Sequence, residues 1–182
     1  VSSGTPEPGA VRDDAGVAKI RAAGGSLLFL VIAPGVVAGL VPWLITRWSA
    51  HDWFLPVRVL GAALIAAGLA LLLPAFVRFA VEGIGTPAPV APTERLVVGG
   101  AYRYVRNPMY LAVAALIVGQ ALLLGQAILL LYALGFGVAV AAFVGGYEEP
   151  TLVSRFGDDY NTYRSAVPRW LPRLSPWRGR LP

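Results

Sequence analysis

The sequence predicts an all-α integral membrane protein of about four transmembrane helices, closed at one end by a polar loop and a helical C-terminal tail. Three observations predict it. Hydrophobic residues are 57% of the 182 positions and charged residues 14%, against about 45–50% and about 25% in an average soluble domain, so lipid must cover much of the surface. Four apolar runs approach the roughly 20 residues that cross a bilayer. Between the second and third lies a polar hinge, Gly99-Gly100-Ala101-Tyr102-Arg103-Tyr104-Val105-Arg106-Asn107-Pro108-Met109-Tyr110. Arginines placed beside a membrane helix cost insertion energy, so this hinge reads as a binding site at one face.

Residues 1–16 are rich in Ser, Gly, Pro and acidic residues, carry no apolar period and are expected to be disordered. Residues 17–182 form one membrane domain. The chain start lacks the basic, then apolar, pattern of a secretory signal, so the first run, 26–45, is expected to be a retained span. Pro34 and Pro42 should kink it, and Trp43 and Trp48 mark its far interface. A short connection leads to the second span, 57–79, where Gly61 and Gly68 allow close helix approach. The stretch 82–107, with Pro87, Pro89 and Pro92, reads as an ordered loop or short interfacial element. The third and fourth spans, 108–124 and 126–147, are separated only by Gly125, the pattern of a tight helical hairpin. In the polar tail, 148–182, Gly157 should end one short helix and Asp158 cap a second, with Phe156, Tyr160 and Tyr163 packing the tail onto the membrane domain.

Charge and composition narrow the function. The absence of cysteine excludes disulfides, a thiolate nucleophile and cysteine metal clusters, and His51 alone cannot build a zinc site, so no metal is expected. The net charge of +5 comes from basic residues flanking apolar runs, which argues for membrane topology and against a nucleic-acid partner. Lys19, Arg21, Arg78, Arg95, Arg103, Arg106, Arg155, Arg164, Arg169, Arg173, Arg178 and Arg180 fall on one side of the four-span arrangement, and Arg47 and Arg58 on the other. Both termini and the polar site are therefore expected to be cytosolic. No internal repeat suggests an inverted-repeat transporter.

Two clusters can carry chemistry. Asn107-Pro108 reads as a helix start, whose free N–H groups and positive dipole end, beside Arg103 and Arg106, suit an anion. Tyr102, Tyr104 and Tyr110 are either an interfacial belt or rings for a purine or cation. Glu148 and Glu149, behind Gly145-Gly146, oppose the dipole at a helix C-terminus and need a compensating partner. That partner is a bound ligand or a nearby arginine, and Arg164 and Arg169 can reach either Glu149 or a substrate headgroup.

These residues resemble a known family. The stretch Gly100-x-Tyr102-x-x-x-Arg106-Asn107-Pro108-x-Tyr110, followed by Glu148-Glu149-x-x-Leu152, Phe156-Gly157-x-x-Tyr160-x-x-Tyr163 and Val167-Pro168, is similar to the signatures of integral-membrane methyltransferases. That family includes isoprenylcysteine carboxyl methyltransferase and the phospholipid N-methyltransferases. The resemblance covers 96–172. It implies S-adenosylmethionine as cofactor, with S-adenosylhomocysteine as product, in a pocket completed by the cytosolic loop and tail, and a lipophilic acceptor entering from the bilayer. It further implies that Arg106 and the helix start at Asn107 hold the methionine carboxylate, that Tyr102 and Tyr110 line the cofactor, that Glu149 binds its ribose or amino group, and that Gly100, Pro108 and Glu148 belong to the same cofactor site. Glu149 and Arg164 are then the candidates for catalysis.

Asn107 stands where the family often has histidine, which excludes a mechanism using that histidine as base. Phe143-Val144-Gly145-Gly146-Tyr147 replaces the arginine and acidic residues that precede the paired glutamates in eukaryotic carboxyl methyltransferases, so another lipid or small amphiphile is an expected acceptor. Carboxylate O-methylation and amine N-methylation both stay open. An NADPH-dependent membrane sterol or enone reductase, which shares a similar hinge, is the second enzyme class, and a lipid-binding structural subunit the non-enzymatic one. The Ala, Gly and Arg bias, with Lys19 the one lysine, points to a bacterial inner membrane. Gly135, Ala139 and Ala142 can pack helices within one chain or between two, so oligomeric state stays open.

Overall fold

The computed structural model describes residues 32–82 and 96–179, and within them every regular element is helical. Helix α1 covers Ile32–Thr46, α2 Leu55–Glu82, α3 Pro108–Leu124, α4 Ile128–Phe143 and α5 Glu149–Ala166. A 3-10 turn, Gly100–Arg103, precedes α3. The expectations for residues 1–16, for the first part of span 26–45, and for Arg95 lie outside the described residues.

Among the described residues, which begin at 32 and so omit the start of the first expected span, two of the four expected spans are helices of full crossing length. The segment Leu55–Arg78 and the helix beginning at Ile128 are long and apolar enough to cross a membrane, whereas Ile32–Thr46 and Pro108–Leu124 are apolar but shorter. The limit on α3 is local. Pro108 must start it, and Gly125, at φ 69°, stops it in the left-handed region. Its 17 residues rise about 25 Å, short of the roughly 30 Å hydrocarbon core.

The helices nonetheless expose an apolar surface that water would not tolerate. Val59, Leu131, Leu134 and Val138 are all at least 60% exposed, and a helix apolar all round with so little buried belongs in lipid.

Packing follows the glycines. Gly61 and Gly119 face each other so closely that a Cβ on Gly119 would sit 2.8 Å from the Gly61 carbonyl oxygen. Gly68 meets the Ala112 carbonyl in the same way, so α2 and α3 cross backbone to backbone as the sequence predicts. Leu72, Phe76, Ala112, Val113, Leu116 and Ile117 fill the core beside that crossing.

Pro42 distorts α1 as expected, and its neighbours repair the damage. It lacks the N–H that would serve a carbonyl one turn back, and Val36–Leu40 widens into a π turn. The Gln120 side chain donates to the Ala38 carbonyl at 2.7 Å and the Tyr132 hydroxyl to the Val37 carbonyl at 2.8 Å. Far from the hinge, the two helix connections are stapled together: His51 N–H donates to the Leu124 carbonyl at 2.9 Å and Gln126 Nε2 to the Ser49 carbonyl at 2.7 Å.

The fourth span does not end at 147. A second π turn, Val144–Glu148, carries α4 directly into α5, because Gly145 and Gly146 stay helical and Pro150 falls in the first turn of α5, where a missing N–H costs little. The break comes at Gly157, whose φ of 50° divides α5 in two as predicted. Beyond it Tyr160, Tyr163, Val167 and Trp177 form a second small core, the packing role expected of the tail aromatics.

Candidate functional site

The hinge and the tail are laced together at one end of the bundle. Arg106 N–H donates to the Pro168 carbonyl at 3.0 Å, Arg173 N–H to the Tyr104 carbonyl at 2.9 Å and Trp177 N–H to the Arg103 carbonyl at 2.9 Å. The Tyr163 hydroxyl donates to the Tyr102 carbonyl at 2.6 Å. Gly100 permits the turn, since its φ is +55° and a Cβ there would collide with the Arg78 side chain.

Asn107 occupies the N-cap of α3 but does not cap it with its side chain. Its Nδ2 instead donates to the Arg169 carbonyl at 3.2 Å, another stitch to the tail. Pro108, Met109 and Tyr110, the first turn of α3, line the cavity, and the N–H groups of Met109 and Tyr110 have no helical acceptor.

The two glutamates point to different places. Glu149 is buried and bridges two arginines: Arg106 Nη1 lies 2.7 Å from Oε1, Arg169 Nε donates to Oε1 at 2.9 Å, and Arg169 Nη2 pairs with Oε2. Glu148, one residue earlier and so about 100° around the helix, accepts from the Tyr110 hydroxyl at 2.9 Å.

Two cavities meet here. A larger one, about 160 Å³, is walled by Tyr102, Arg106, Asn107, Tyr110 and Glu148 on its polar side and by Leu72, Phe76, Val113 and Phe136 on its apolar side. A smaller one, about 80 Å³, lies between Leu96, Val144, Glu149, Tyr160 and Tyr163. Tyr102, Arg106, Asn107 and Glu148 form the shared wall. Burial, then the neighbouring Tyr163, Glu148 and Tyr110, push the Tyr102 phenol well up, so it stays protonated at any working pH.

Of the predicted site residues, Tyr102, Arg106, Asn107, Pro108, Tyr110, Glu148 and Glu149 come together, and Gly100 supports the turn below them. Arg164 does not join them: it is exposed and lines neither cavity. Arg169 reaches Glu149 instead, because the chain reverses after Ala166 and brings it back over the hinge. Arg103 and Tyr104 are exposed. Gly145 lies under the Arg169 guanidinium and Gly146 faces open space. The apolar wall of Leu72, Phe76 and Phe136 had no sequence signal beyond generic hydrophobicity.

A helical bundle, among the described residues, with two helices long and apolar enough to cross a membrane and a polar, two-chambered pocket at one end is the class that this fold and site define. A family model for phospholipid methyltransferases matches residues 56–159, more than half of the chain. The chain belongs to that family of membrane methyltransferases, which is related to the isoprenylcysteine carboxyl methyltransferases. No curated protein and no solved structure gives a significant match.

Proposed function

We propose that the chain is an S-adenosylmethionine-dependent methyltransferase acting at the cytosolic face of a membrane that it crosses four times, on an amine carried by a lipophilic acceptor. The observation that carries this reading is the convergence of Arg106, the start of α3 and the Glu148 carboxylate on one cavity at the end of an apolar bundle.

The donor set fits the charges of the cofactor. Arg106, whose Nε is buried without a hydrogen-bond partner, and the first-turn N–H groups of α3 hold the methionine carboxylate. Glu148 answers the ammonium and sulfonium charges. Both Glu149 oxygens are taken by arginines, so its role is to position Arg106. The cavities of about 160 and 80 Å³ are smaller than the roughly 300–1,000 Å³ of a ligand pocket, so binding widens them.

When bound, S-adenosylmethionine supplies an electrophilic methyl group and leaves as a thioether. The protein has to align the acceptor and exclude water, which the apolar wall of Leu72, Phe76 and Phe136 does. An amine acceptor must also lose a proton as its nitrogen forms the new bond, and Glu148 is the carboxylate placed to take it. A carboxylate acceptor would be repelled by Glu148, which favours amine over carboxylate methylation.

The test uses purified protein in nanodiscs with radiolabelled S-adenosylmethionine and two acceptors, phosphatidylethanolamine and a prenylcysteine analogue. Label in the aminolipid is expected. Label only in the prenylcysteine would overturn the amine assignment, and label in neither, from folded protein, the methyltransferase reading itself.

A further inference from the structure

The apolar side of the larger cavity adjoins a second space. Pro34 and Leu72 line both, and the second space, of about 780 Å³, runs between α1, α2 and α3 toward the opposite end of the bundle. Among the described residues no charged one lines that groove. Its α1 wall is cut away by Gly35 and Gly39, and a Cβ built on either meets nothing within 4 Å.

The far end is closed by hydrogen bonds instead of charge. Gln120 Nε2 donates to the Ala38 carbonyl at 2.7 Å, and the Trp48 indole donates to Gln120 Oε1 at 3.2 Å. These contacts tie α1, α3 and the connection after α1 across the end of the groove. Between Leu116 and Leu124, which both line it, α3 rises about 12 Å.

We propose that this groove holds one hydrocarbon chain of the methyl acceptor, with the reactive headgroup in the cavity beside Arg106 and Glu148 and the chain end near the Gln120–Trp48 pair. The proposal rests on the methyltransferase reading and adds where the acceptor's chain lies and what limits its length. The groove shares the wall of Pro34 and Leu72 with the cavity, which places a chain in it within reach of a headgroup there and selects the acceptor over bulk lipid as occupant. A hydrocarbon chain gains little by leaving lipid for an apolar wall, so selectivity arises from shape: a chain that fits keeps its contacts, and a longer one meets the Gln120–Trp48 closure.

The test is photolabelling of the purified full chain in nanodiscs with lysophosphatidylethanolamine that carries a diazirine at the end of its acyl chain, read by peptide mass spectrometry. Labelling at Trp48, Leu123 and Leu124 that unlabelled lipid competes away is expected, together with non-competed labelling of the exposed α4 residues Leu131 and Leu134. Gly39→Leu, which fills the groove where no side chain stands, should cut the groove labelling at least tenfold and leave the α4 labelling unchanged. Gly35→Leu serves as a second variant should the first not fold. Non-competed labelling that is equal at groove and α4, or groove labelling that survives both substitutions, overturns the proposal and leaves annular lipid only. S-adenosylmethionine binding, measured separately in each variant, distinguishes this failure from failure of the methyltransferase reading.

Discussion

Arg106 Nη1 sits 2.7 Å from Glu149 Oε1, both side chains nearly buried, and this contact joins the hinge before α3 to the tail helix. Arg169 closes on the other side of the same carboxylate. Removing the carboxylate leaves two arginines facing one another with nothing between them. Glu149→Ala should therefore destabilise the protein by about 3–5 kcal/mol, read as a lowered midpoint of thermal unfolding in detergent. A midpoint equal to wild type would mean that the bridge holds nothing together.

Glu148 makes the opposite prediction. It touches Tyr110 and the cavity but no arginine contact ties it to the tail. Glu148→Gln keeps a hydrogen-bonding side chain of the same shape, so unfolding should change little while kcat for amine methylation falls about 100- to 10,000-fold. Loss of folding with proportionate loss of activity would make Glu148 structural.

The α2–α3 crossing separates glycines that matter from those that do not. A side chain on Gly119 would strike the Gly61 carbonyl and the Ile65 backbone, whereas Gly135 has open space around it. Gly119→Val should cost at least about 1–3 kcal/mol by overpacking. Gly135→Ala should be neutral or stabilising by up to about 1 kcal/mol, since alanine is the better helix former. Equal melting shifts for the two would contradict the close crossing.

Gln120 and Pro42 should be coupled. Gln120→Leu strips the donor from the Ala38 carbonyl in an apolar setting, at a cost of about 1–3 kcal/mol. Pro42→Ala returns a backbone N–H to the same turn, so the double variant should lose less than the sum of the two singles. A double-mutant cycle of unfolding midpoints checks it, and strict additivity would separate the two residues.

Much of this was legible in the chain. Asn107-Pro108 and Gly125 set the ends of α3, and Gly61 and Gly68 announced the helix contact, because those signals are local and act through backbone sterics. Which glutamate lines the larger cavity was not legible. The answer depends on the π turn at Val144–Glu148, which rotates everything after it, and Gly145-Gly146 read equally well as a helix end. Which of Arg164 and Arg169 reaches Glu149 was also open, since it depends on how the chain turns back after Ala166. The third span, 108–124, was read with the bounds that the structure gives it, whereas the start of the first lies outside the described residues.

The most direct measurement is isothermal titration of the detergent-purified protein with S-adenosylmethionine and S-adenosylhomocysteine, with NADPH as control and Glu148→Gln as the folded variant. Saturable binding of the first two, none of NADPH, and at least tenfold weaker S-adenosylmethionine binding by the variant are predicted. No binding by folded wild-type protein, or binding of NADPH alone, would contradict the account.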